Sequence, residues 1–270
     1  MGEWEEGVRQ EYHLGSGGSS DISSRALAPV VGGSASFRHV AGAAVKLLLD
    51  TVGAALLLLA LSPILLAIAI AIKVDSPGPV FYRCSRIGYR GRPLAMLKFR
   101  KMHDHVSGPG LTLAEDDRFT RVGCLIARLK LDELPQLWNV VKGEMSLVGP
   151  RPESAEFVEL HHERYETILR VRPGITGLCQ LAFAKEGTIL DPSDRISDYT
   201  RRLLPQKVGV DEFYASSRSL RMDMSILLWT LLAVVARADV AVNRATGALT
   251  RRRRPVAAPT EALVSNAEAT

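Results

Sequence analysis

From Thr51 to Ile72 the chain carries no charge. At about 1.5 Å per residue a straight helix over that stretch would reach roughly 33 Å, enough for the hydrocarbon core of a bilayer. No water is available inside lipid, so the backbone there must satisfy its own polar groups, and a lone segment can do that only as helix. Ser62-Pro63 falls near the middle, where proline removes one backbone donor and crowds the preceding turn, so a kink is predicted. Hydropathy alone is satisfied by a kinked helix that spans. The flanking charges favour another path. Arg38 and Lys46 precede the segment, and Lys73, Arg83, Arg86, Arg90 and Arg92 follow it. Cations on both sides suit two cytoplasmic ends, hence a re-entrant helix that enters one leaflet, turns at Ser62-Pro63 and returns. The halves would reach only about 16 Å and 13 Å, each about half of the core thickness.

Residues 1–36 are rich in Gly, Ser and small side chains without periodicity and are expected to be a disordered tail lacking the basic-then-apolar layout of a secretory signal. Residues 37–74 are expected to form the membrane-embedded helix, 75–236 a folded domain, and 237–270 a basic, disordered tail whose Arg251 to Arg254 would be drawn to anionic lipid. The net charge of +5 fits nucleic acid, an anionic membrane or phosphorylated substrates. No nucleic-acid module or aromatic-interleaved basic stripe is present, which leaves membrane and phosphate. Cys84, Cys124 and Cys179 are odd in number and far apart, and read as reduced thiols. His103, Asp104 and His105 have a metal-like composition but lack the further ligands of a zinc site.

Two short strands, Val80 to Arg83 and Leu94 to Arg100, are expected around a Gly/Pro turn. Alternation puts Met96, Lys98 and Arg100 on one face, so the two cations could be a solvated edge or a phosphate clamp. Further on, Leu134, Leu137, Trp138 and Val141 share one helical face, and Pro135 is tolerable only in the first turn. This puts Asp132 and Glu133 at a helix N-terminus. Taken alone, the pair reads first as a cap with a solvated acid, since capping is what most such residues do, and only second as a site, although a helix start can also hold phosphate. The next stretch, Gly143 to Glu153, brackets Arg151 between Pro150 and Pro152, and Pro152 suits the opening of a second helix with Phe157, Leu160, His161 and Ile168 inward.

Leu131 to Glu153 resembles the signature of the bacterial sugar transferase family, the polyprenyl-phosphate phosphoglycosyl transferases. Asp75 to Met102 is similar to the family's entry block, Arg170 to Gly177 to its PGxTG turn, and Lys207, Asp211, Phe213 and Tyr214, before Ser219 and Asp223, to a weaker pattern. The resemblance runs from about Val40 to Ala236. One position departs from it: the arginine many members place five residues before the aspartate is Ala127 here, and Arg128 would point about 100° away on a helix.

The resemblance implies an α+β protein, mostly helical with a short β-hairpin, held monotopically in the bacterial inner membrane with its catalytic domain on the cytoplasmic face. It supports the re-entrant path, since family members with a single N-terminal segment are broken at a Ser-Pro pair. It implies that Asp132 takes a sugar phosphate from a UDP-sugar, that UMP leaves, and that polyprenyl phosphate then accepts the group. Glu133 would be a metal partner or base, Mg²⁺ would be held at Asp132 and Glu133, and Lys98, Arg100, Arg128 and Arg151 would contact phosphate. The partners expected are thus a UDP-sugar, polyprenyl phosphate and membrane lipid, with no nucleic acid. Which sugar is carried, and whether the protein forms a homodimer, is not readable from the sequence. A glycosidase fits poorly because adjacent carboxyls do not easily flank a glycosidic bond. A sugar-only transferase of Rossmann type would need alternating strand and helix units that are not found. A membrane adaptor would have no use for the acidic pair and the arginine turn.

Overall fold

The computed structural model describes residues 37–104, 111–112, 116–191, 193–236, 238–243 and 246–251. The N-terminal tail, His105 and the run from Arg252 onward lie outside them. The elements in order are α1 Phe37–Asp75, β1 Phe81–Ile87, β2 Pro93–Phe99, α2 Arg121–Arg128, a 3-10 turn Leu131–Glu133, α3 Gln136–Val141, β3 Ser146–Val148, α4 Ala155–Leu160 and α5 His162–Ile168. Then come β4 Gly174–Thr176, α6 Leu178–Ala182, α7 Arg195–Asp198, a π-helical turn Tyr199–Leu203, α8 Leu204–Ser217, α9 Leu220–Val235, β5 Val240–Val242 and β6 Leu249–Arg251. The strands form three separate pairs: antiparallel β1–β2, parallel β3–β4 and antiparallel β5–β6.

Within α1, Gly42–Asp75 is long and apolar enough to cross a membrane by length and composition. Helical geometry continues through Ser62-Pro63. Pro63 cannot donate to the carbonyl four residues back, Leu59, and Ser62 Oγ donates to that oxygen instead at 2.8 Å. One face of α1 follows the rest of the protein from Asp50 to Ile72. Asp50, Ala54, Leu58 and Leu61 pack toward β2, α3 and β3, and Leu65, Ile68 and Ile72 toward Phe99 and α2. Leu48, Leu49, Leu56, Leu59, Leu66 and Ile70 point out, exposed.

Two inward faces differ from the sequence expectation. In α3, Leu137 and Val140 are buried with Gln136 and Asn139, while Trp138 is 53% exposed. The run expected as one helix after Pro152 breaks at His161 into α4 and α5, so Phe157, Tyr165 and Ile168 face inward while Leu160 is exposed. The residues assigned to a C-terminal tail also begin with structure. Val240, Val242 and Leu249 of β5–β6 pack on a core of Leu178, Leu181, Val210 and Ile226. Gly247, at φ 67°, supplies the left-handed residue between those strands.

Candidate active site

The acidic pair lies on the 3-10 turn, entered through Lys130 at φ 59°. Such a turn rotates about 120° per residue, so neighbouring side chains diverge. Asp132 points inward at 3% exposure, while the Glu133 side chain keeps 20%. Neither carboxylate caps α3, whose N-cap, Pro135, receives no side-chain bond.

Three cations reach the pair from other segments. Lys98 on β2 donates to Glu133 Oε1 at 3.0 Å, and Arg151 Nη2 lies 3.7 Å from the same oxygen. Lys101 Nζ stands 3.4 Å from Asp132 Oδ2. Sequence reasoning missed Lys101, because it lies beyond the strand, where alternation no longer says which way a side chain points. Its place is fixed by its backbone: Thr120 N–H donates to Lys101 O at 3.1 Å, and a Cβ on Gly123 would fall 1.9 Å from that oxygen. Only glycine lets α2 sit so close.

Asn139 holds the acid turn to the hairpin. Its Oδ1 accepts from Leu97 N–H and its Nδ2 donates to Ala95 O, both at 3.0 Å, so the side-chain amide pairs with β2 as another strand would. Lys98 follows at once and meets Glu133. The available signal was the pair of amides, Gln136 and Asn139, set among the apolar residues of a short helix.

The Arg151 turn leaves β3 through Gly149-Pro150. Gly174 N–H donates to Pro150 O at 2.8 Å, and a Cβ on Gly174 would fall 2.0 Å from Gly149 N. Beneath the turn, Glu153 accepts from Tyr199 Oη at 2.6 Å and from Lys207 Nζ at 3.2 Å, and Asp211 accepts from the Arg151 backbone. Burial drives the Asp211 carboxyl up to about 8, only partly countered by Lys207. For Glu133, burial pushes upward but Lys98 and Arg151 outweigh it, and the carboxyl sits well below its ordinary range. Burial pulls Lys101 below the usual lysine value, and Asp132 offsets this only in part.

Two expected phosphate contacts are not brought to the pair. Arg100 is buried, and its guanidinium donates to Ser76 O at 2.9 Å and to Pro77 O, holding the exit from α1. The strand ends at Phe99, so the alternation that put Lys98 and Arg100 on one face stops one residue short. Arg128 is exposed at the last turn of α2, and its hydrogen-bond partner among the described residues is Cys124 Sγ at 3.9 Å. Among the described residues there is no group of three or more His, Cys, Asp or Glu. Two adjacent carboxylates still suit Mg²⁺, which commonly takes one or two from a protein and completes its shell with water and substrate phosphate.

A helix with one packed face and one open, apolar face thus adjoins a site of paired acids ringed by cations. Residues 41–237 match the family model described as Bacterial sugar transferase. The chain belongs to that family. It is 41% identical over 191 residues to a UDP-glucose:undecaprenyl-phosphate glucose-1-phosphate transferase of Caulobacter vibrioides, a match covering 69% of this chain and 68% of that protein. A protein of the same description from Xanthomonas campestris pv. campestris is 38% identical over 202 residues, covering 70% of this chain and 38% of that one. A UDP-N-acetylgalactosamine-undecaprenyl-phosphate N-acetylgalactosaminephosphotransferase of Aeromonas hydrophila is 38% identical over 194 residues, covering 69% and 43%. The chain thus spans less than half the length of the last two.

Proposed function

We propose that this protein transfers a sugar 1-phosphate from a UDP-sugar to a polyprenyl phosphate and releases UMP. The observation that carries the reading is the meeting of Asp132 and Glu133 with Lys98, Lys101 and Arg151, drawn from three parts of the chain. Adjacent carboxylates repel one another, and the cations that offset them are suited to receive phosphate oxygens when substrate enters. The substrate class follows the names of the relatives, which differ in the sugar.

In this reading the Asp132 carboxylate attacks the phosphorus that bears the sugar. The bond from that phosphorus to the bridging oxygen breaks, and UMP departs with the electron pair. A phosphate oxygen of the polyprenyl acceptor then attacks the same phosphorus and frees Asp132, so two accessible displacements replace one difficult step. Arg151 and Lys98 hold phosphate oxygens, and Lys101 sits beside the nucleophile. Mg²⁺, held by Asp132 and Glu133, would neutralise diphosphate charge. Glu133 would assist as a metal partner or as a base.

The surface supports residence at a bilayer. α1 keeps one face on the catalytic domain from Asp50 to Ile72, and this packing supports the re-entrant path from the cytoplasmic face over one that leaves the domain to span lipid. On α9, Leu220, Met224, Leu228, Leu231 and Val235 are exposed at helical spacing, a face suited to lie on lipid. The test is nucleotide release by purified protein given a panel of UDP-sugars with undecaprenyl phosphate. The reading requires UMP with at least one sugar. UDP would instead mark transfer of the sugar alone, and release of neither nucleotide would refute the assignment.

A further inference from the structure

The strand that delivers Arg151 is gripped by the membrane helix through a closed polar ring. Lys46 Nζ lies 3.3 Å from Asp50 Oδ2 and 2.7 Å from Asp223 Oδ2. Ser146 Oγ donates to Asp50 Oδ2 at 2.5 Å and is 2.8 Å from Val148 O. Tyr214 Oη donates to Asp223 Oδ1 at 2.6 Å and is 3.1 Å from the same Val148 O. The contacts therefore run Lys46, Asp50, Ser146, Val148, Tyr214, Asp223 and back to Lys46, joining α1, β3, α8 and α9. Asp50, Ser146, Val148, Tyr214 and Asp223 are all buried.

A helix that served only as an anchor would gain nothing from this arrangement. Its neighbouring turns attach through apolar contacts at Ala54, Leu58 and Leu61, and apolar residues at the ring positions would bind as well without the desolvation of charge. Directional bonds instead fix position: the one hydrogen of each hydroxyl goes to Asp50 or Asp223, with Val148 O as its other available acceptor, and these partners meet only in one register. What they fix is Ser146 and Val148 of β3, and Val148 is followed directly by Gly149, Pro150 and Arg151.

We propose that Lys46 and Asp50 of the membrane helix are positioning residues for catalysis, acting through the Ser146–Val148 strand to set the Arg151 guanidinium against Glu133. The functional consequence rests on the phosphate role proposed above for Arg151; the mechanical link does not. Two measurements on the full chain in detergent separate these. The first is hydrogen exchange over residues 146–153. Asp50→Asn, and Ser146→Ala, which leaves every charge in place, should each quicken exchange there by about tenfold or more. Unchanged exchange in both variants would overturn the proposal whether or not the protein turns over any UDP-sugar. The second is a double-mutant cycle on kcat/KM for UMP release. Asp50→Asn should cost about tenfold in the wild-type background and less than about twofold beside Arg151→Lys, because both changes act on one contact. Equal losses in the two backgrounds would reduce the ring to a structural tie and overturn the catalytic proposal. Lys46→Arg should retain more activity than Lys46→Met, and equal activity of the two would count against a charge-dependent ring.

Discussion

The guanidinium of Arg151, held between two prolines, faces one oxygen of Glu133 at 3.7 Å. A lysine there would keep the charge but lose the planar fork. Arg151→Lys is expected to lower kcat/KM by about tenfold or more with the fold intact, and near-normal kinetics would make the turn structural. Asp211 offers a test that needs no substrate. Its carboxyl rises from the usual aspartate value of 3.8 to about 8 in the folded protein, so the fold holds a proton that the unfolded chain releases. The stabilisation from that proton is complete below the unfolded value and is lost as pH climbs toward the folded one. Asp211→Asn, which keeps the shape and an acceptor for the Arg151 N–H, removes this dependence. Its melting temperature relative to wild type should therefore rise between pH 5 and pH 9, a trend that thermal unfolding at several pH values would show or refute.

At the scale of elements, what was legible in the sequence was what is contiguous. The long uncharged helix, the β1–β2 hairpin and the acidic pair followed by the arginine turn could be read because each is written in one run of residues. The missed features are written across distance. Lys101 meets Asp132 only because α2 rests on the Lys101 carbonyl, and the polar ring joins residues from Lys46 to Asp223. Periodicity also misassigned Trp138, since it counts apolar residues as inward while the structure buries Asn139 to reach β2. Basic composition hid the β5–β6 hairpin, whose apolar contacts come from only Val240, Val242 and Leu249. Asn139 itself yields a prediction. Asn139→Ala would strip partners from Leu97 N–H and Ala95 O, whose bonds to the amide are part-buried, so the cost falls toward the low end of the about 1–3 kcal/mol for an orphaned buried group. The variant should be destabilised by about 1–3 kcal/mol in denaturant unfolding, and a loss below about 0.5 kcal/mol would show that the amide is not the tie between α3 and β2.

For the whole molecule, the re-entrant path proposed for α1 places both of its ends on the side of the catalytic domain. Single cysteines near Ser36 and at Ser85, in a chain with Cys84, Cys124 and Cys179 replaced, should both resist an impermeant thiol reagent in intact cells and react once the cells are opened. Labelling of the Ser36 site from outside, with Ser85 protected, would establish a spanning helix, though Asp132 would remain cytoplasmic. The central claim is the chemistry of Asp132, and it is tested most directly by mixing the protein with its UDP-sugar and Mg²⁺ in the absence of any polyprenyl phosphate. The account predicts a burst of UMP approaching one per active protein, together with a mass increase of one sugar phosphate on the peptide containing Asp132; the same experiment with Asp132→Asn should give neither. An enzyme that turns over with acceptor present yet shows no burst and no adduct, or an Asp132→Asn variant that turns over within about tenfold of wild type, would contradict it.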